Sequence, residues 1–364
     1  MDFRFTEQQE MMAETVRALL ADLCQPADLR RLMRAGAPRD TARWAAIVEM
    51  GLAGALVPED SGGLGLAPVD FVLIAQACGH AALPEPLVEN AGVALPLLAA
   101  VADDARAAPV LARALAGEIT VALKHPANPF VADADTAGAL LVLDDDRLHL
   151  VAPEAAAPLR QQSADPFRRL FSLGRPPAPD TALTAGRGLR AAADAAFERG
   201  ALFAAAQLLG IAQRAVDLAV GYAGERTQFG RPIGANQAVK HLLSTAQVKI
   251  AFARPVVHAA AARLDPSDVV SRARVSHAKL AAADAADLAC RTAVQVHGAM
   301  GYSWEVDVHF FLKRALALAG WWGDAHVHRA RVAERVFGHP LGAEHTFADA
   351  AAMAGTGAAG SGRP

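Results

Sequence analysis

The stretch Glu225–Ile233, ERTQFGRPI, decides the fold of this chain. It follows a long helical segment and places an arginine, an aromatic residue, a glycine and a proline close together. Gly230 permits a sharp turn, and Pro232 prevents the preceding helix from simply continuing. Taken alone, the stretch predicts a corner between two long helices, with Arg226 near the end of the first helix.

Long helices are predicted on both sides of this corner. Apolar residues recur at helical spacing before and after it. They are Leu202, Ala206, Leu209, Val216 and Val220, then Val239, Leu242, Leu243, Ala246, Ile250 and Ala253. Two further helices are predicted over about 267–296 and 303–318, with Ser303 as the N-cap of the last. Long antiparallel helices with short links form a bundle, so residues 189–345 predict a C-terminal four-helix bundle.

The first half of the chain divides into a helical zone and a short β zone. Residues 1–117 predict an N-terminal helical domain, whose first helix begins with a capping box of Thr6 and Gln9. Residues 118–188 predict a reduced middle β-domain, with strands over 119–123, 139–143 and 148–151. Residues 346–364 are rich in Gly, Ala and Ser and predict a disordered tail. The expected fold is mainly α with a short β-domain.

Composition excludes several classes of function. The net charge is -3 and the basic residues form no stripe, which argues against nucleic-acid binding. Three widely separated cysteines match no metal spacing, so we expect neither a metal site nor a disulfide framework. The N-terminus lacks an apolar signal region, and the apolar stretch Ala91–Ala102 is broken by Pro96 and too short to span a bilayer. We therefore expect a cytoplasmic protein that does not bind a membrane.

Two other segments carry a recognisable pattern of glycines and polar residues. The first is Ala293–Asp307, AVQVHGAMGYSWEVD, in which Gly298 and Gly301 would end a helix. The second is Leu56–Gly65, LVPEDSGGLG, which is dominated by turn residues. By itself, each segment predicts no more than a well-formed connection between helices.

Together the three motifs resemble those of the acyl-CoA dehydrogenase family. Arg226, Phe229, Gly230 and Gln237 are in register with the family's R-x-x-F-G and the glutamine that follows it. Ala293–Asp307 resembles Q-x-x-G-G-x-G-[FY]-x-x-E, with Ala299 replacing one glycine, and LVPEDSGGLG resembles I-P-E-x-x-G-G-x-G. The resemblance covers nearly the whole chain and implies FAD as cofactor and an acyl-CoA thioester as substrate.

The resemblance also implies which residues bind FAD. Arg226 would contact the pyrophosphate, because a planar guanidinium suits phosphate oxygens. Gln228 and Gln237 would contact the adenosine half, while Gln295 and the backbone around His297 would hold the adenine and ribose. The full set of expected FAD-binding residues is Arg226, Gln228, Phe229, Gln237, Gln295, His297, Gly298 and Ala299.

The chain departs from the family at the catalytic base, a carboxylate that removes the α-proton of the thioester. Most members place a Glu in the loop after the helix that here carries Lys313 and Arg314. The corresponding string is LAGWWGDAH, where Gly323 holds the Glu position and Asp324 is the adjacent candidate. A minority of members use a position that is Gly200 here. Glu198 lies about 200° around the helix from it, on the wrong face.

The middle zone departs from the family as well, because it contains no T-E-P-x-x-G-S-D-like string to hold the flavin ring. The chain keeps the motifs that in family tetramers reach across an interface to a neighbour's FAD, and lacks those of the chain that owns the flavin. This combination resembles the smaller, base-less subunits of heteromeric acyl-CoA dehydrogenases, many of which act on steroid side-chain CoA thioesters.

The resemblance therefore predicts a subunit that functions beside a longer paralogue carrying the catalytic Glu. The complex would desaturate a bulky acyl-CoA, and an electron-transfer flavoprotein would reoxidise the flavin. Two alternatives stay open from the sequence. One is a self-sufficient homo-oligomeric dehydrogenase with Asp324 as a displaced base. The other is a non-catalytic binding or scaffolding protein that kept the fold.

Overall fold

The computed structural model describes residues 4–36, 38–144, 147–183 and 188–339. The predicted disordered tail, 346–364, lies outside these ranges. Helices dominate the described residues, which confirms the predicted fold class. The helices are α1 Glu7–Leu23, α2 Pro26–Arg34, α3 Thr41–Glu49, α4 Pro68–His80, α5 Leu87–Glu89, α6 Leu95–Ala99, α7 Ala107–Leu115, α8 Pro153–Ala156, α9 Leu189–Glu225, α10 Gln237–Ala262, α11 Val269–His297, α12 Val308–Ala319 and α13 Ala325–Gly338.

The strands form two small sheets and one hairpin. Their bounds are β1 Val121–Lys124, β2 Val131–Ala132, β3 Ala139–Leu143, β4 Leu148–Val151, β5 Pro158–Gln161, β6 Leu170–Leu173, β7 Thr227–Gln228 and β8 Arg231–Pro232. The first sheet has the order β1-β3-β4, with β1 and β3 parallel, and the second has the order β2-β6-β5. The predicted strands at 139–143 and 148–151 are confirmed at their bounds, and the strand predicted at 119–123 begins at Val121.

Local sequence explains how the N-terminal helices begin and how closely they pack. Thr6 and Gln9 form the predicted capping box at the start of α1. Helix α4 crosses the central helix α9 at a pair of glycines. A Cβ on Gly79 would lie 2.0 Å from the Gln207 carbonyl oxygen, and one on Gly210 would lie 1.9 Å from the Gln76 carbonyl oxygen. Because neither position can hold a side chain, the two backbones meet directly.

The C-terminal region contains α9, α10, α11 and α12 as predicted, and one helix more. Helix α13 packs on α11, and sequence analysis did not predict it. The prediction that Ser303 caps α12 is wrong. The Ser303 hydroxyl donates to the Met300 carbonyl, at 2.9 Å, and the helix begins at Val308. Ser303 therefore closes the preceding turn instead.

Helix α9 is the centre of the molecule. It is long and apolar enough to cross a membrane by length and composition, but 72% of its most apolar window is buried inside the protein. Apolar side chains from the N-terminal helices, the first sheet and the C-terminal helices surround it in one continuous core. A second, smaller core lies around the two sheets and includes Val131, Leu140 and Phe171. The burial of α9 is that of a core helix.

Candidate functional site

The corner predicted from ERTQFGRPI is a tight hairpin. Helix α9 ends before Arg226, and β7 and β8 pair through Gln228 and Arg231. The two residues of the turn, Phe229 and Gly230, have φ angles of +51° and +77°. Positive φ at both positions matches a two-residue hairpin turn. Glycine adopts this conformation freely, whereas phenylalanine is strained by it.

The two motifs that were expected to bind FAD meet at the ends of α9 and α11. Tyr222, one turn before the hairpin, stacks on His297 with ring centroids 4.2 Å apart. The His297 ring also hydrogen-bonds through Nδ1 to the Ala293 carbonyl, at 2.7 Å, and burial lowers its pKa. These contacts fix the loop after α11 against the end of α9. The structure therefore brings the hairpin and the glycine loop onto one surface.

The polar side chains on this surface are exposed to solvent and available for hydrogen bonds. Arg226, Gln228, Gln237 and Gln295 are all exposed. Their side chains form no hydrogen bond or ion pair with any of the described residues. Phe229 is 100% exposed at the tip of the hairpin. An arginine, three amides and an aromatic ring are thus presented outward together.

Glycines keep the same surface open for a bound group. Gly298 has a φ of +60°, and a Cβ at either Gly298 or Gly230 would have no atom within 4 Å. Ala299 is exposed beside Gly298, so its methyl group does not close the loop. A ligand can therefore approach the backbone of both motifs closely.

The two positions at which a catalytic base was sought lie against each other. A Cβ on Gly200 would stand 2.2 Å from the indole ring of Trp322, which is the residue before Gly323. Trp322 is 2% exposed and has a φ of +60°. One indole therefore fills the space between α9 and the loop that follows α12. A side chain at position 200 would therefore collide with the indole, whereas a Cβ on Gly323 would meet His328 at 3.1 Å and Val327 at 3.2 Å.

Groups from three parts of the chain hold Trp322 in its strained conformation. Its N–H donates to Asn128 Oδ1, at 2.7 Å, and its indole N–H donates to Glu89 Oε2, at 3.2 Å. Its carbonyl accepts from His328 Nε2, at 3.0 Å. Lys279 Nζ donates to the Ala319 carbonyl, at 2.9 Å, and so fixes the start of the loop. Strain of this kind persists only where the surroundings determine it from several sides.

The loop between β1 and β2 packs beside Trp322, where the rings of His125 and Trp322 have centroids 5.1 Å apart. Through Asn128 it is bonded directly to the loop after α12. Next to it, Trp321 packs under Arg168, whose guanidinium carbon lies 4.4 Å from the ring centroid. Two cavities lie near this region. One, lined by Glu89 and Arg168, has a volume of about 30 Å³ and holds about one water molecule. The other, lined by His125, Phe197 and Glu198, has a volume of about 520 Å³.

The carboxylates considered as a base have other partners. Asp324 is exposed and caps α13, accepting the Val327 N–H at 3.0 Å, and this bond lowers its pKa. Glu198 is buried and paired with Arg331. Glu89, which sequence analysis missed, bonds to the Trp322 indole, and burial raises its pKa although Arg168 opposes the shift. That Asp324 acts as the catalytic base remains a prediction. In the structure its carboxylate caps α13.

Comparison with known proteins matches both ends of this architecture. Residues 6–118 match the description "Acyl-CoA dehydrogenase, N-terminal domain", and residues 186–337 match "Acyl-CoA dehydrogenase, C-terminal domain". Acyl-CoA dehydrogenase IpdE2 of Mycobacterium tuberculosis is 34% identical over 85% of this chain and 91% of its own. The chain belongs to the acyl-CoA dehydrogenase family.

Two solved structures share the fold of this acyl-CoA dehydrogenase. The ChsE4–ChsE5 complex of Mycobacterium tuberculosis has a TM-score of 0.78 at 22% identity, over 94% of this chain and 100% of that one. A variant of the Tcur3481–Tcur3483 steroid acyl-CoA dehydrogenase has a TM-score of 0.76 at 21% identity, over 91% of this chain and 98% of that one. At these identities the likeness concerns the fold.

The cofactor of the acyl-CoA dehydrogenase family is FAD, and these residues fit one half of it. Arg226 and the exposed amides supply the donors that a pyrophosphate and an adenosine require. The Trp322 indole fills the space beside Gly200, whereas the cavity lined by His125 and Phe197 stays open. This acyl-CoA dehydrogenase thus offers an exposed polar surface that suits the nucleotide half of FAD.

Sequence analysis missed the residues that pack around Trp322. The signal was the adjacent pair Trp321 and Trp322, half of the 4 tryptophans in a chain with 5% aromatic residues. A bulky aromatic pair in a loop that is expected to be catalytic indicates filling of the site. What fills it, and from which side, required the contacts of Asn128, Glu89 and Gly200.

Proposed function

We propose that this chain is the base-less subunit of a heteromeric FAD-dependent acyl-CoA dehydrogenase. It would lend Arg226, Gln228, Gln237 and Gln295 to a flavin held by a longer paralogous subunit that also carries the catalytic Glu. The complex would introduce an α,β double bond into an acyl-CoA, and an electron-transfer flavoprotein would reoxidise the flavin.

The observation that carries the proposal is that the Trp322 indole fills the space beside Gly200. The indole stands against Gly200 and donates to Glu89, while the Trp322 backbone N–H donates to Asn128, so a carboxylate at position 200 has no space. A chain that acted alone would need a base at one of the two positions, and both Gly200 and Gly323 lack a carboxylate. The filled space at Gly200 therefore supports a base that belongs to a different subunit.

The exposed surface around Arg226 and Phe229 supports the part of the proposal in which this chain contributes residues to a partner's flavin. Arg226 is a cation without a counter-ion among the described residues, and Phe229 is a strained aromatic residue with its whole side chain in solvent. Backbone strain at exposed aromatic residues is retained where binding uses it. A non-catalytic scaffold would have no need of this arrangement.

The substrate class follows from a different observation than the subunit role. One solved protein with this fold is described as a steroid acyl-CoA dehydrogenase, and two components share its name. We therefore propose a bulky, steroid side-chain-like acyl-CoA as the substrate. Turnover of a short straight-chain thioester at the same rate as a steroid side-chain thioester would contradict this part alone.

Flavin stoichiometry tests the subunit role. The chain is purified alone and after co-expression with the paralogue, and flavin absorbance is measured against protein. We expect no flavin on the chain alone and one flavin per pair of unlike subunits in the complex. A stoichiometric flavin on the chain alone, or two per pair, would contradict the proposal.

Substitutions in the complex test the assigned residues. Arg226→Ala should reduce flavin content, because the pyrophosphate loses its cation. Arg231→Ala is the matched control, since the Arg231 guanidinium already bonds to Asn236 Oδ1 at 2.8 Å on the same hairpin. Asp324→Asn should leave turnover unchanged, whereas loss of turnover with flavin retained would favour Asp324 as the base.

A further inference from the structure

A large groove lies apart from the motifs described above, between the start of α1 and the second half of α10. Its volume is about 780 Å³. Phe5 and Val69 form one wall, and Val256 and Ala259 form the other. These four side chains are half-buried, so the groove presents apolar surface to solvent. Grooves of roughly 300–1,000 Å³ with apolar walls and few polar groups are typical of small-molecule sites.

The charged groups that line the groove have one sign. They are the guanidinium groups of Arg4, Arg254 and Arg274, and no acidic side chain lines the groove among the described residues. Asp70, on the neighbouring helix α4, already accepts two hydrogen bonds. Its oxygens accept from Gln9 Nε2, at 2.6 Å, and from the Ala67 N–H, at 2.7 Å. The lining of the groove therefore favours an anion over a cation.

Arg254 is the cation best placed to receive a ligand. It is half-buried at the groove, and its guanidinium bonds to the neutral amide of Gln213, at 3.2 Å. It forms no ion pair with any described residue. Burying an arginine without a counter-ion is unfavourable, so an anion at this position would be stabilised.

Helix α10 is shaped to expose this site. Pro255 lies inside the helix beside Arg254 and lacks the N–H that would bond to the preceding turn. His258, one turn on, packs edge-on against Phe5 with ring centroids 4.9 Å apart. Burial and the nearby Arg254 lower the pKa of His258 to about 4, so its ring is neutral at physiological pH. The histidine thus forms part of the apolar wall.

We infer that this groove binds an amphipathic carboxylate, with the carboxylate on Arg254 and the apolar body along Phe5, Val256 and Ala259. The apolar walls favour a hydrocarbon body, and the half-buried Arg254 favours an anionic head. The site is separate from the proposed flavin surface and does not depend on the subunit role.

Calorimetric titration with two surfactants of equal tail length tests the inference. Dodecanoate and dodecyltrimethylammonium are added below their micelle concentrations to the purified chain, or to its complex where the chain needs a partner. We expect saturable binding of dodecanoate at one site and at least about tenfold weaker binding of the cation, because a charge-assisted contact contributes roughly 1.5–3 kcal/mol. Equal affinities, or no saturable binding of dodecanoate, would overturn the inference.

Variants assign the binding to this groove. Arg254→Gln should weaken dodecanoate about tenfold or more, and Ala259→Phe should abolish binding by filling the apolar wall. Lys249→Gln is the matched control, since Lys249 is exposed on the same helix and does not line the groove. Dodecanoate affinity that is unchanged in both groove variants would overturn the site, whatever the flavin content of the complex.

Discussion

The indole ring of Trp322 lies where a Cβ on Gly200 would stand, at 2.2 Å from that position. Gly200 belongs to α9 and Trp322 to the loop after α12, so the two are far apart in the chain and joined only by the fold. Gly200 and Gly323, the residue after Trp322, hold the two positions at which the family resemblance places a base. Because the indole occupies the space at Gly200, a Gly200→Glu substitution alone could not restore a base there.

The first prediction concerns the free energy of unfolding of Gly200→Ala. Forcing a methyl group into the Trp322 ring should destabilise the chain by about 1–3 kcal/mol, as overpacking does in a filled core. Gly221→Ala on the same helix is the control, because a Cβ there meets nothing within 4 Å. The control should be stabilised by up to about 1 kcal/mol from helix propensity. Denaturant unfolding of both variants gives the comparison.

The double variant shows whether Trp322 is the cause. In a Trp322→Gly background the space is empty, and glycine also suits the φ of +60° at position 322. In this background Gly200→Ala should not lower the free energy of unfolding. A cost that is the same in both backgrounds would show that the methyl group clashes elsewhere.

The second prediction concerns the exposed aromatic residue at the hairpin tip. Phe229→Gly should leave the chain as stable as before or slightly more stable, because glycine relieves the strain of a φ of +51°. The same change should reduce flavin content or subunit association in the complex. Phe337→Ala is the control, an 87% exposed phenylalanine at the end of α13. Loss of stability in Phe229→Gly with normal assembly would contradict the assignment.

Features that depend on neighbouring residues could be predicted from the sequence. Contacts between side chains that are far apart in the chain could not. The capping box at Thr6, the strand β3 and the sharp turn at Gly230 depend on neighbouring residues, and each was predicted. Helix α13 was missed because Asp324 was weighed as a base, although an aspartate before a helix is a common N-cap. The bond between Asn128 and Trp322 spans 194 residues, so no local pattern could indicate it.

The third prediction concerns a buried ion pair between the strand region and α12. Asp165 is fully buried, pairs with Arg314 and accepts the Phe167 N–H at 3.0 Å. Asp165→Asn would leave the Arg314 charge without its partner and should cost about 3–5 kcal/mol. Asp287→Asn breaks the exposed pair with Arg291, 2.7 Å apart, and should cost about 0.3–0.5 kcal/mol. Similar midpoints for the two variants in urea would contradict the buried pairing.

The last prediction is a pH dependence of stability that arises at Lys279. Burial lowers the pKa of this lysine from 10.5 to about 7, while Nζ donates to the carbonyls that begin and end the Trp322 loop. Between these pH values the unfolded chain binds a proton that the folded chain does not. This lysine therefore makes the free energy of unfolding rise with pH over that window, by at most about 1.4 kcal/mol per pH unit.

Lys279→Met removes this contribution and gives the test. The free energy of unfolding of the wild type, minus that of the variant, should increase from pH 7 to about pH 9, as measured by urea unfolding at several pH values. Lys249→Met is the control, because Lys249 is exposed on α10 and its pair of curves should stay parallel. A difference for Lys279→Met that is constant over this range would mean that the lysine remains charged in the folded loop. Its two carbonyl contacts would then compensate its burial fully.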